Sequence, residues 1–322
     1  MKKKIPVLFT IIILILTVMI LDALLVPKTE DGIRQAKCFY EQPENSIDVA
    51  FMGSSHIHCN INPYELYEQF GIASYDFSAA EQPLWITYYY VLELLKYQHP
   101  KVIVLDMYAP ARFRDDYQYR WLNDNLAGLK LSKNKLDILE VAAEPDRRGD
   151  YFPAITFYHT RYKEIGMADI KALFESSADK EKYKGYTPYE NVSPQERPAL
   201  DMDSIRALTS KSEEYLNKII ELTKSEGIEL YLLATPYPVK PEEQASYNYI
   251  SELADKAGII FDNTNLKYDS IGIDFDEDFS DFSHLNVKGS HKFTEYIGKE
   301  LLIHYDLPDR RGMEGWESWE NR

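Results

Sequence analysis

Cysteine is almost absent, with Cys38 and Cys59 the only two in 322 residues. Two cysteines cannot build the multi-bridge framework on which small exported domains rely, and spacing alone leaves open whether they pair. Neither is followed by a second cysteine or a histidine at zinc-finger spacing, so a structural zinc site has no support. Positive charge is also scarce: 36 Lys and Arg stand against 52 Asp and Glu, for a formal net charge of −16. Beyond Lys2, Lys3 and Lys4 there is no basic cluster. Binding a polyanion needs concentrated positive charge, which argues against a nucleic-acid partner. Internal repeats and low-complexity segments are missing as well, which argues against a solenoid.

The features that are present begin at the N-terminus. The lysines precede residues 5–26, which are almost wholly apolar and broken only by Thr10, Thr17 and Asp22. That length crosses a bilayer as one helix. The lysines ahead of it predict a cytoplasmic N-terminus over residues 1–4 and export of everything after residue 27. A cleaved signal peptide would carry a shorter apolar region ending in small residues; this one runs into Leu24-Leu25-Val26-Pro27, so an uncleaved transmembrane anchor is expected. Residues 27–46 are charged and polar, as a stalk would be. Residues 308–322 are charged without apolar periodicity and read as a mobile tail. Residues 47–307 between them are enough for one large domain.

Within that domain, residues 47–52, 74–77, 102–105, 228–234 and 259–261 read as buried strands, because their apolar residues run nearly continuously. Leu208, Tyr215, Leu216 and Ile219 share one face of a helical segment ended by Gly227. Pro241 opens another helix that Gly258 ends, and Phe293, Tyr296, Ile297 and Leu301 line the last. Strands alternating with helices predict an α/β fold, a three-layer α/β/α arrangement around a five-stranded parallel sheet. Residues 110–200 interrupt the alternation with helix-like pieces and an aromatic-rich stretch, Tyr151 to Tyr162. An insertion after the third strand lies at the carboxyl end of the sheet, where a helical cap over a site is expected.

Ligands of open α/β sheets bind beyond the carboxyl ends of the strands. Met52-Gly53-Ser54-Ser55-His56 closes the first strand, and Asp281-Phe282-Ser283-His284 precedes the last helix, so the two strings meet at that edge. A serine hydroxyl attacks only when a neighbouring base takes its proton, and imidazole has the right intrinsic pKa. Ser55 is the candidate nucleophile, His284 the base, and Asp281 the carboxylate that orients it. The oxyanion donors expected are the backbone N–H of Ser55 and those of Ser78-Ala79-Ala80 after the second strand. Either string alone is weak evidence, since Gly-Ser-Ser often marks a simple turn. Ser54 reads as such a turn residue.

On these strings the chain resembles the SGNH hydrolases, the GDSL-like esterase superfamily. Gly53-Ser54-Ser55 matches their serine block, and Asp281-x-x-His284 followed by Leu285-Asn286 matches their last block, over roughly residues 47–304. With an N-terminal anchor, it is similar to the membrane-bound envelope branch, which includes the D-alanine transfer protein of teichoic acid modification and polysaccharide O-acetylation proteins. The resemblance implies a flavodoxin-like sheet and a serine esterase or acyltransferase, facing outside the cytoplasm and needing no cofactor. Its substrate would be O-acyl, above all O-acetyl, groups of an envelope polysaccharide or glycolipid, with a membrane-bound O-acyltransferase as a candidate partner. Two departures stand out. The block-three Asn is missing from Leu105-Asp106-Met107-Tyr108, and the block-two Gly is replaced by Ala79 or Ala80.

Two alternatives remain open on the residues. A non-catalytic protein of the same fold would use its cleft to hold a glycan or a membrane acyltransferase. A metal hydrolase would use His56 and His58, joined by His159 or His284; otherwise His56 serves local hydrogen bonding or substrate contact. His159 and Arg161, in the insertion, are candidates to bind an anionic or hydroxyl-rich substrate.

Overall fold

The computed structural model describes residues 4–174 and 182–320. Met1, Lys2 and Lys3, most of the segment expected in the cytoplasm, lie outside the described residues, as do residues 175–181 of the insertion and 321–322 of the tail.

Five strands, β1 (Val49–Gly53), β2 (Ser74–Ser78), β3 (Val102–Asp106), β4 (Glu229–Ala234) and β5 (Ile260–Asn263), form one all-parallel sheet in the order β2-β1-β3-β4-β5. Val49 to Met52 are fully buried, as strands covered on both faces must be. Each strand lies where the apolar runs place it, but several are shifted toward their carboxyl ends. Ile47 and Ile228 are buried lead-ins, because a strand's ends are set by the ladder of its neighbours and not by hydrophobicity.

The chain opens with α1 (Lys4–Leu25), which is long and apolar enough to cross a membrane, followed by α2 (Ile33–Phe39). Helices α3 (Ser55–His58) and α4 (Pro63–Phe70) join β1 to β2, and α5 (Leu84–Leu94) joins β2 to β3. The two crossovers run in opposite directions across the sheet, so right-handed connections put α4 and α5 on opposite faces. After β3 come α6 (Tyr108–Arg112), α7 (Leu122–Ala127), α8 (Lys133–Ala142), α9 (Ile155–Tyr158) and α10 (Met167–Ala172). Then α11 (Ser210–Glu226) leads to β4 and α12 (Pro241–Ala257) to β5, each ended by a left-handed glycine, Gly227 and Gly258. Helices α13 (Tyr268–Ile271) and α14 (Val287–His304) complete the domain. Helix α5 packs on α8 and α11, while α4 packs on α14.

Three expectations are corrected. Residues 27–46 are not a free stalk: Ile33, Gln35, Ala36 and Phe39 are fully buried, and Tyr75 Oη donates to Gln35 O at 2.7 Å. The few apolar residues among the charges were enough to dock α2 against β2. Within 308–320 the tail is also docked. Arg310 makes a two-pronged ion pair with Asp48 (2.7 and 2.8 Å), and the buried Trp319 donates its Nε1 to Ser74 O at 3.2 Å.

The insertion, third, is not a helical cap over the strand ends. Helix α6 packs on α12, α7 on α2 and α8, and α8 on α5, while α9 with the following 3-10 turn His159–Lys163 packs on α1. At the carboxyl edge itself, α6 brings Tyr108 against His56 and α7 brings Asn125 to Ala80 O at 3.0 Å, while residues 182–200 pass along that edge. They run as an extended strap held by Asp76 N–H to Lys184 O (3.0 Å), Thr187 N–H to His58 O (2.7 Å), Val287 N–H to Tyr189 O (2.8 Å) and Ser193 N–H to Phe279 O (2.8 Å). Cys38 and Cys59 are both buried, and no disulfide joins them.

Candidate active site

Order reversal at β1 opens a crevice between the carboxyl ends of β1 and β3. Gly53 ends β1 with φ +135°, and a Cβ there would lie 2.6 Å from the Asp106 Cβ at the end of β3. Only glycine allows that approach. Ser54 follows, fully buried; its Oγ accepts the His56 N–H at 3.2 Å as the N-cap of α3. The Ser54 N–H donates to Asp106 Oδ2 at 3.1 Å, and the Ser54 hydroxyl donates to the same oxygen. Ser54 is thus a turn residue with a carboxylate anchor.

That turn delivers Ser55, partly exposed, at the first position of α3. Its Oγ lies 2.8 Å from His284 Nε2, and His284 Nδ1 lies 2.9 Å from Asp281 Oδ2. Burial alone would raise the Asp281 carboxyl. The His284 hydrogen bond and charge, with the N–H groups of Ser283 (2.7 Å) and His284 (2.9 Å) on Oδ1, outweigh burial and hold it below the usual carboxylate range. Asp281 is therefore ionised and can only accept, so the His284 proton it holds sits on Nδ1, and it is Nε2 that faces the serine. The structure brings together the three residues that the sequence singles out.

The loop that presents His284 is held on all sides. Phe279 and Leu285 form an antiparallel bridge, and Ser280 N–H donates to His284 O at 2.9 Å. Asn286 N-caps α14 through Oδ1 (3.0 Å to Lys288 N, 3.2 Å to Gly289 N), while its Nδ2 donates to Glu277 O at 2.7 Å. Asn60, one turn beyond His56, accepts the Leu285 N–H at 3.0 Å and donates to Thr235 Oγ1 at 3.1 Å.

His56 belongs to the same support. Its Nδ1 meets Thr235 Oγ1 at 2.9 Å and its Nε2 meets Ser283 Oγ at 2.8 Å. Its ring stacks on Tyr108 with centroids 3.6 Å apart. Burial, then the charges of His284, Arg112 and His58, push it well below the usual imidazole range, so it stays neutral. Both ring nitrogens are engaged and the ring is fully buried, which leaves it unable to touch substrate. His58 turns elsewhere, its Nδ1 2.8 Å from Ser78 Oγ. Burial, then His284, push it down to about 3. The metal-hydrolase alternative has no geometric support: the two rings enter separate hydroxyl networks, and among the described residues no three His, Cys, Asp or Glu side chains are grouped to hold an ion.

The oxyanion side differs from expectation. Ala79 N–H donates to Gly53 O at 3.1 Å and Ala80 N–H to Asp31 O at 2.8 Å, so neither is turned to the serine. Ala79 continues the β1–β2 ladder, and Ala80 is taken by the docked segment before α2. A Cβ on Gly32 would lie 2.4 Å from the Ala79 Cβ, so that segment lies directly over the loop after β2. The Ser55 N–H remains, at the start of a helix that offers it no acceptor. The same segment brings in Asp31, whose carboxyl is raised by burial and partly drawn back by the nearby His284.

His159 and Arg161 are not brought to the site. His159 is exposed with Nδ1 on Thr156 O (2.8 Å), and Arg161 Nη1 donates to the Leu24 and Leu25 carbonyls (3.1 and 3.0 Å) at the end of α1. A cavity of about 830 Å³ lies at the opposite edge of the sheet, against Val102, Glu229 and Ile260 where β3, β4 and β5 begin. Sequence reading missed Thr235, Ser283, Asn60, Asp106 and Asp31. Only Asn60 left a signal, four residues after His56 and so on the same side of a helical turn.

Compared with known proteins, the chain matches no family model, and no curated protein matches it.

Proposed function

We propose that this chain is a membrane-anchored serine esterase or acyltransferase of SGNH type, with its domain outside the cytoplasm. It would act on O-acyl, above all O-acetyl, groups of an envelope polysaccharide or glycolipid. The observation that carries the reading is the relay from Ser55 Oγ to His284 Nε2 (2.8 Å) and from Nδ1 to Asp281 (2.9 Å), with the imidazole tautomer set by an ionised carboxylate. His284 takes the Ser55 proton as Oγ bonds to the ester carbonyl carbon. The resulting oxyanion is met by the Ser55 N–H. The His284 proton then passes to the departing sugar oxygen, leaving an acyl group on Ser55. In the second half, water or another sugar hydroxyl gives its proton to His284 and attacks the acyl carbon, and His284 passes that proton to Ser55 Oγ as the acyl bond breaks. The substrate class rests on the anchor and on the likeness of the two strings to the envelope branch.

One observation favours a second reading, a non-catalytic SGNH-fold envelope protein that binds a glycan or a membrane acyltransferase: the Ala79 and Ala80 amides are engaged internally. Turnover separates the two. Purified full chain in detergent should hydrolyse a chromogenic short-chain acyl ester, with kcat falling on the order of 10⁴- to 10⁶-fold in Ser55→Ala and His284→Ala. No hydrolysis by the parent, or hydrolysis that survives Ser55→Ala, rejects the catalytic reading.

A further inference from the structure

Positive charge is scarce in this chain, yet four cationic side chains, Lys28, Arg34, Lys37 and Lys130, line one cavity of about 390 Å³. Glu41 is the one carboxylate among its described lining residues; Glu30 lies 3.9 Å from Arg34 outside the lining. Its position is as informative as its charge. Ala23, in the last turn of α1, forms part of the wall, and Leu173, just beyond α10, forms another part.

The side chains of α1 from Leu8 to Leu16 are exposed, while Leu25 and Val26 are buried in the domain. The passage from lipid to protein therefore falls near Asp22, whose Oδ1 accepts the Ile155 N–H at 2.9 Å. A cavity walled by Ala23 opens at the level of the lipid headgroups. The insertion, which packs on α1 through α9 and the following turn, carries exposed apolar side chains, among them Phe157, Tyr162, Met167 (68 %) and Phe174 (81 %). In water that surface is costly; in the interfacial layer of a bilayer it is what membrane contact requires.

We propose that this cavity is a binding site for the phosphate-bearing headgroup of an anionic membrane lipid, with the acyl chains running down the exposed face of α1 and the insertion's apolar residues. Basic pockets beside a membrane helix hold anionic headgroups through such charges. Burial, then the Lys28 ammonium and its hydrogen bond, then Lys135, push the Lys37 amine down to about 7, a strain that an anion seated among them relieves. The inference rests on α1 lying in a bilayer and not on any chemistry at Ser55.

The test is thermal unfolding of the full chain in a neutral detergent with dihexanoyl phosphatidylglycerol, dihexanoyl phosphatidylcholine or inorganic phosphate. Phosphatidylglycerol should raise the midpoint, in Ser55→Ala as in the parent, and the other two should not. Arg34→Gln with Lys130→Gln should weaken the apparent affinity about thirtyfold, and Lys130→Gln alone, at an exposed side chain, about fivefold. Equal shifts with phosphatidylcholine, a full shift with inorganic phosphate alone, or an unchanged response in Lys130→Gln each overturn the site. Retention in the membrane pellet after alkaline carbonate tests the anchor separately. A pelleted chain without phosphatidylglycerol selectivity rejects the headgroup site and leaves the anchor standing.

Discussion

The rings of His56 and His284 lie 5.4 Å apart between centroids, and both depend on one loop: His56 Nε2 meets Ser283 Oγ at 2.8 Å, and His284 is the next residue. A fully buried, neutral histidine thus fixes the loop on which the candidate base sits.

His56→Ala should therefore act through His284. The expected result is a loss of about a hundredfold in kcat on an acyl ester, with KM nearly unchanged, since displacing a reacting group by about 1 Å costs that much. Stability should fall too, because Thr235 and Ser283 lose a buried partner. A variant that stays folded with full kcat would show that the loop holds His284 without His56.

Asp106 gives a pH dependence of definite sign. Burial pushes its carboxyl up to about 6, against the opposing hydrogen bonds from Ser54 and the Tyr108 N–H. A carboxyl raised in the folded state holds a proton that the unfolded chain has released. Its contribution to stability is complete below about pH 4 and is lost as pH rises through about 6. Asp281, held low, works in the opposite direction, so the comparison must be made against Asp106→Asn. Urea unfolding should show the parent's advantage over that variant shrinking between pH 4 and 6 and constant above. An advantage that grows with pH contradicts the assignment.

The docked tail predicts a stability effect far from the site. Trp319 is 2 % exposed, with the Lys184 ammonium 3.5 Å above its ring. Trp319→Ala should lower the unfolding free energy by about 3–5 kcal/mol. A change under about 1 kcal/mol, the usual size for an exposed position, would mean that the tail is free.

What was legible in the sequence and what was not divide along chain distance. Val49 to Met52 and Val102 to Leu105 announce strands because a run buried on both faces needs no partner to be recognised. Ser55 and His284 are legible because the order of strands and helices puts both at one edge of the sheet. The support of His56 was hidden, since Thr235 lies 179 residues away and nothing local marks it as a partner. Charge misled in three places. Residues 27–46 and the tail read as solvated, and Arg161 as a substrate contact, yet Gln35 and Trp319 are buried and Arg161 caps the carbonyls of Leu24 and Leu25. Reading residues 27–46 as a stalk hid the docking of residues 31–32 over Ala79 and Ala80, which is why the Ala80 donor was misplaced.

The central claim, that Ser55 and not its neighbour is the nucleophile, is tested most directly by mapping a fluorophosphonate adduct by peptide mass spectrometry. Ser54 and Ser55 are adjacent, but the Ser54 hydroxyl is buried on Asp106 while Ser55 faces His284. The account predicts a single adduct on Ser55, abolished in Ser55→Ala and in His284→Ala. An adduct on Ser54, or an intact chain that takes up no probe, would contradict it.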